Sequence, residues 1–150
     1  MEDMNRTTLI KHLARYFTEH AQRLPIELAF LYGSWAAERQ RVDSDVDVAV
    51  LFRDDAGSEE EKYAVLADVG SELAVSLQKE VSVLELRWAF DKPMLYYNAV
   101  VQGFPLWVKE KRLSDRFRQE AIEQMEDFCI FGVGWQLAAA RRNLKGMTHA

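Results

Sequence analysis

Two aspartates, Asp45 and Asp47, lie two positions apart in a segment whose apolar alternation is typical of a β-strand, residues 45 to 52. Side chains alternate along a strand, so both carboxylates lie on one face, with Cα atoms roughly 7 Å apart. Carboxylates at this spacing can converge on one divalent cation or bracket two, and Mg²⁺ would relieve their repulsion. The pair predicts a metal site, the plain alternative being a strand end whose aspartates face water.

A glycine and a serine, Gly33 and Ser34, directly follow residues 25 to 32, which we predict as another strand. Backbone amides at such a turn, together with the serine hydroxyl, suit the oxygens of a phosphate group. We expect a short helix from Ser34 to about Gln40, with the serine as its N-cap. A turn on one side and a metal on the other would hold a nucleoside triphosphate in line for attack.

The remaining elements alternate between helical and strand patterns, which predicts an α/β (α+β) fold. Helices are expected at 5 to 20, 59 to 78, 91 to 103 and 113 to 143, and further strands at 80 to 86 and 105 to 108. Residues 1 to 110 would form one domain, and 111 to 150 a C-terminal helical extension packed on that domain or on a partner.

Composition narrows the class of protein. The chain has 150 residues, 49% of them apolar, and a net charge of −5, which argues against a general nucleic-acid binder but not against a single nucleotide. The single cysteine, Cys129, cannot form an internal disulfide, and this favours a reducing cytoplasm. The apolar run at 129 to 140 is shorter than the roughly 20 residues that cross a bilayer, so no membrane association is expected.

The motif from Gly33 to Asp47, a Gly-Ser pair, ten residues and D-x-D, resembles the signature of the DNA polymerase β-like nucleotidyltransferase superfamily. Residues 25 to 110 are similar to its minimal nucleotidyltransferase (MNT) branch. The resemblance implies a mixed β-sheet flanked by helices, Mg²⁺ bound by Asp45 and Asp47, and ATP phosphates held at Gly33 and Ser34. Ser44 is expected among the nucleotide contacts.

The same resemblance implies a partner and a reaction. Members of the MNT branch are typically paired with a HEPT-domain ribonuclease toxin, and the MNT protein acts as antitoxin by adding AMP from ATP to a tyrosine hydroxyl. Two alternatives stay open: a catalytically weakened antitoxin that neutralises its toxin by binding, and a transferase for small molecules of the aminoglycoside type.

The sequence departs from the superfamily pattern at the third acidic position, where Ser82 stands. Glu80 lies on the same predicted face as Ser82 and is one candidate to replace the carboxylate. Glu85 is the other, although a regular strand would point it to the opposite face. Relatives often carry Arg-Gly after the Gly-Ser pair; here Arg39 and Arg41 are the candidates for phosphate contact.

Two aromatic features have more than one interpretation. Trp35 is expected to pack in the core, with stacking on a base as the alternative. The C-terminal helix has more apolar residues than the single buried face of an amphipathic helix needs, so we expect it to pack on its own domain, on a partner or on a second copy. These residues are Phe128, Ile130, Phe131, Val133 and Trp135.

Overall fold

A computed structural model describes residues 4–41 and 43–148, with side chains described as far as Ile130 and again at Arg141. The elements in chain order are α1 (Arg6–Glu19), β1 (Ile26–Tyr32), β2 (Val46–Phe52), α2 (Glu59–Leu77), β3 (Val81–Leu86), α3 (Pro93–Val100), β4 (Phe104–Val108) and α4 (Lys111–Thr148). Each predicted helix and strand outside the Gly-Ser turn is present, within a few residues of its expected ends.

The four strands form a mixed sheet in the order β3-β2-β1-β4. β1 pairs antiparallel with β2 and with β4, and β2 pairs parallel with β3. A parallel pair needs a crossover, and α2 supplies it. The predicted mixed sheet flanked by helices is confirmed, and β4, which contains Pro105, is an edge strand, where proline is tolerated.

The sheet has an apolar core on each face. Val46, Val48 and Val50 of β2 are fully buried in the cluster that includes residues of α1 and α2. Ala49 and Leu51, which alternate with them, belong to a second cluster with residues of α3 and α4. The alternation predicted for β2 is therefore confirmed, but both faces are covered by helices from residue 48 onward.

The short helix expected from Ser34 to Gln40 is wrong. The segment is a hydrogen-bonded turn, and Glu38 has a φ of 57°, in the left-handed region. A non-glycine residue in that conformation cannot continue a right-handed helix. The turn extends only from Ser34 to Glu38.

The first turns of α4 pack on the rest of the domain. Phe117 and Ala121 are fully buried in the cluster with Phe90 and Tyr96, whereas Phe128 and Ile130 are exposed. The side chains of the other apolar residues singled out there, Phe131, Val133 and Trp135, lie outside the described ones. Among the described residues, no helix combines the length and apolar character that a membrane span requires.

Candidate nucleotide and metal site

The Gly-Ser turn and the aspartate pair lie in direct contact. Asp47 in β2 pairs with Tyr32, the last residue of β1, so its carboxylate lies beside Gly33. A β-carbon at Gly33 would lie 3.3 Å from Asp47 Cγ and would overlap Asp47 Oδ2. Gly33 also has a φ of 77°, which disfavours any other residue. Glycine is required here for two reasons: backbone conformation and the approach of a carboxylate.

Asp47 is held where ionisation is unfavourable. Its side chain is half-buried, and its pKa is raised, first by burial and second by the charge of Asp45. Asp45 is exposed and lies one residue before β2. Carboxylate oxygens are the ligands that a hard cation prefers, so the neighbouring carboxylates of Asp45 and Asp47 fit Mg²⁺.

The turn itself offers donors to an anion. Gly33 O accepts from Ala37 N at 3.1 Å, and Ser34 O accepts from Arg39 N at 2.8 Å. Within the described part of the chain, the amides of Ser34, Trp35 and Ala36 make no backbone hydrogen bond. Free amides at the start of such a turn resemble a helix N-terminus and can bind phosphate oxygens.

A buried tryptophan fixes the loop between the two motifs. Trp35 is only 2% exposed, so its predicted packing in the core is confirmed. Its Nε1 donates to Ser44 O at 3.3 Å, and Arg6 Nε donates to Trp35 O at 3.2 Å. The Ser44 hydroxyl accepts from Arg41 N at 2.6 Å. Ser44, expected to contact nucleotide, thus uses its hydroxyl within the loop.

A cavity of about 200 Å³ opens beside the turn. Its walls come from the end of β1, the Gly-Ser turn, α3 and the residues just after α3. The lining residues are Tyr32, Gly33, Ala36, Ala37, Arg39, Leu95, Asn98 and Gln102. Arg39, a predicted phosphate contact, lies in this wall, whereas Arg41 is exposed and is not one of the lining residues.

Three polar residues of this cavity were missed in the sequence: Tyr32, Asn98 and Gln102. Burial, and secondarily the charge of Asp47, raises the pKa of Tyr32 to about 12, so its hydroxyl stays protonated. Asn98 lies in α3, but Gln102 follows the end of the helix at Val100, so helical spacing does not relate the two amides. No local pattern in the sequence indicated that both would line this cavity.

Ser82 occupies the position where the superfamily has its third acidic residue. Ser82 pairs with Asp47 in the parallel register, while Glu85 pairs with Val50 and lies on the other face of the sheet. Lys62 Nζ lies 3.5 Å and Arg87 Nε 3.0 Å from Glu85 Oε2, so this carboxylate is engaged in ion pairs.

Glu80 precedes β3 and lines a groove shared with α2, although its parity in the sequence suggested the face of Ser82. Strand alternation does not extend to a residue outside the strand. Among the described residues, no group of three or more His, Cys, Asp or Glu side chains is arranged to hold a metal. The structure thus brings together Asp45 and Asp47, but neither Glu80 nor Glu85 with them.

Comparison with known proteins identifies the family of the chain. Residues 11–112 match the family model described as polymerase beta, nucleotidyltransferase. This covers more than half of the chain, which therefore belongs to the polymerase β nucleotidyltransferase family. The resemblance indicated by the Gly-Ser and aspartate signature is confirmed.

The individual relatives have low sequence identity to this chain, between 20% and 28%. The chain is 28% identical over 107 residues to the protein adenylyltransferase MntA of Shewanella oneidensis, covering 71% of this chain and 68% of that protein. A crystal structure of a toxin–antitoxin with AMP-PNP has 23% identity and a TM-score of 0.55, covering 98% of this chain and 100% of that one. A Shewanella oneidensis structure, a tri-AMPylated HEPN toxin in complex with MNT antitoxin, has 20% identity and a TM-score of 0.53, with coverage of 94% and 99%. At these identities the two structures establish the shared fold.

Proposed function

We propose that the chain transfers AMP from ATP to a hydroxyl group of a partner protein, with Mg²⁺ bound by Asp45 and Asp47. The observation that carries this proposal is the contact between the Gly33 turn and the Asp47 carboxylate. It joins phosphate-binding amides and metal-binding carboxylates at neighbouring ends of two paired strands. Membership of a nucleotidyltransferase family supports the same reaction.

The residues of the site have separate tasks in this reaction. The free amides of the turn and the Ser34 hydroxyl hold the phosphates, and Arg39 adds positive charge beside them. The nucleoside occupies the cavity that Tyr32, Asn98 and Gln102 line. Mg²⁺, when bound, neutralises charge on the phosphate oxygens. The acceptor oxygen loses its proton and forms a bond to the α-phosphorus of ATP. The bond between the α-phosphorus and the oxygen that bridges the α- and β-phosphates breaks, and pyrophosphate leaves.

The proposed acceptor is a tyrosine of a cognate HEPT ribonuclease toxin, which makes the chain an antitoxin. This extends to the chain what the relatives' names say of them: one is a protein adenylyltransferase, and two structures are toxin–antitoxin complexes. The exposed Phe128 and Ile130 on α4, 44% and 73% accessible, supply apolar surface that a partner protein could cover.

The test is transfer of label from α-labelled ATP to the toxin in the presence of Mg²⁺. Asp45→Asn with Asp47→Asn should lower transfer by roughly 10³-fold or more, since a metal-held phosphate is worth several kcal/mol in the transition state. Asp43→Asn is the matched control, because Asp43 is an exposed acid two residues earlier, and it should leave the rate unchanged. Equal transfer by the double variant and the wild type would reject the proposed metal ligands.

A second candidate is an antitoxin that acts by binding alone, and Ser82 beside Asp47 favours it. In that case the double asparagine variant still co-purifies with the toxin and still protects cells. Under the enzymatic proposal the same folded variant loses protection. Ser82→Asp separates the two further: a third carboxylate next to Asp47 should raise transfer by about 10-fold or more if the site is active.

A further inference from the structure

Arg6, at the start of α1, contacts the turn that follows β1. Its Nε donates to Trp35 O at 3.2 Å, and its guanidinium lies 5.5 Å from the centroid of the Phe104 ring in β4. A third contact is weaker, because Arg6 Nη1 lies 3.8 Å from Glu38 Oε1 and that carboxylate is exposed to solvent. The Arg6 side chain therefore joins α1, β4 and the Gly-Ser turn, and it donates to a backbone carbonyl of the turn.

The charge of Arg6 does not stabilise the helix in which it lies. Arg6 is the first residue of α1, directly after the N-cap Asn5, and the first turn contains no acidic residue. The helix dipole places partial positive charge at this end, so a cation here is mildly destabilising. Departures from such local rules are expected where a side chain serves a functional site. The contact with the turn supplies that reason.

The carbonyl of Trp35 needs a partner that the turn does not supply. A regular helix would pair Trp35 O with Arg39 N, four residues later, but Arg39 N donates to Ser34 O at 2.8 Å. This longer hydrogen bond accompanies the left-handed φ of Glu38. Among the described residues, no backbone amide donates to Trp35 O. Arg6 Nε takes the place of that missing donor.

The same hydrogen bond sets the direction of a backbone amide. The carbonyl of Trp35 and the amide of Ala36 belong to one planar trans peptide group, so they point in opposite directions. Ala36 lines the cavity beside the turn, and its amide makes no hydrogen bond within the described backbone. Because the carbonyl points to Arg6, the amide points away from Arg6 and is available to a phosphate. Rotation of this peptide group would present the carbonyl oxygen instead, which repels an anion.

We propose that Arg6 is a positioning residue that keeps the Ala36 amide directed at the nucleotide phosphates. Its charge also polarises the peptide group, which makes the amide a stronger donor. Arg6 is not one of the residues that line the cavity, so it acts through the Trp35–Ala36 peptide group rather than by touching the nucleotide. This inference rests on the proposed function, in which the turn binds the phosphates of ATP.

Two substitutions separate the hydrogen bond from the charge. Arg6→Gln has an amide nitrogen at the same point along the side chain as Nε, so it keeps a donor without the charge. Arg6→Met has a similar length and no donor. Calorimetry with ATP and Mg²⁺ should give an affinity roughly 10-fold below the wild type for Arg6→Met, and within about 3-fold of it for Arg6→Gln. Arg15→Met is the control, because it removes the same charge from an exposed position of α1, and it should bind as the wild type does.

Other roles of Arg6 predict other results in this experiment. Direct attraction of the phosphates by the charge would weaken binding equally in Arg6→Gln and Arg6→Met. A role in stability alone would leave the affinity of the folded protein unchanged in both variants. Either result overturns the proposal, as does a wild-type chain that does not bind ATP. Failure of the proposed reaction looks different: ATP binds with the predicted order of affinities, and no label reaches the toxin.

The Ala36 amide itself gives a second measurement, which a role in stability would not change. In nitrogen–proton correlation spectra of the wild type and of Arg6→Gln, the Ala36 amide proton should move downfield when ATP and Mg²⁺ are added, because it donates to a phosphate oxygen. The shift should be absent in Arg6→Met, even at a saturating concentration of ATP. An equal shift in Arg6→Met contradicts the proposal. So does a wild-type chain that binds ATP without moving this resonance, and that result requires no variant to fold.

Discussion

The two faces of β2 perform different tasks. One face is apolar throughout, with Val46, Val48 and Val50 completely buried under α1 and α2. The other begins with the half-buried Asp47 and becomes apolar only at Ala49, where α3 and α4 cover it. Ionisable groups are therefore confined to the strand end that the helices leave open. The apolar residues of β2 therefore stabilise the fold, whereas Asp47 is held where its ionised form is disfavoured.

The largest effect on stability is expected on the apolar face. Leu73→Ala in α2 removes a fully buried side chain from the cluster that contains the three valines, and should lower the free energy of unfolding by about 2–5 kcal/mol. Nucleotide transfer per folded molecule should be unchanged. Chemical denaturation and activity, both measured at a temperature where the variant is folded, check this. A loss of activity in the folded fraction would mean that the two faces are coupled.

A smaller effect on stability, with a larger effect on function, is expected at the turn. Gly33→Ala imposes a side chain on a positive φ and overlaps the Asp47 carboxylate, at a cost of roughly 1–3 kcal/mol. ATP binding measured by calorimetry should fall steeply, because the carboxylate or the turn must move. Gly57→Ala is the matched control: Gly57 also has a positive φ, 106°, and its β-carbon would meet Glu61. It should lose stability but keep ATP binding, and loss of binding there would contradict the assignment.

The smallest effect is the pH dependence of stability due to Asp47. Its pKa is raised in the folded protein, so the native state binds more protons than the unfolded state between the ordinary aspartate value, about 4, and the raised one. Stability therefore falls as the pH rises through that window. Asp47→Asn should remove this decline and be the more stable protein at neutral pH without metal. Unfolding curves from pH 4 to 7 check the sign. If the free energies of unfolding of the two proteins change in parallel with pH, the pKa of Asp47 is not raised in the folded protein.

Much of this organisation could be predicted from local patterns. The alternation in β2 and the pair of aspartates after the Gly-Ser motif depend only on neighbours in the chain. The N-cap of α2 is local in the same way, because Ser58 Oγ accepts from Glu61 N at 3.2 Å. The failures arose where local rules end. The helix predicted after Ser34 does not form, because Glu38 has a left-handed conformation, and Glu80 lies outside the strand whose alternation was applied to it.

The order of the elements, the apolar faces and the presence of a Gly-Ser motif followed by two aspartates were determined by the sequence itself, because periodicity and motif spacing act over a few residues. Only the tertiary structure decided that Asp47 contacts Gly33, that Asn98 and Gln102 face the same cavity, and that Glu85 lies on the opposite face. These relations depend on strand register and on the docking of α3, which bring together residues distant in the chain. Packing of the whole domain sets both, and no short stretch of sequence encodes them.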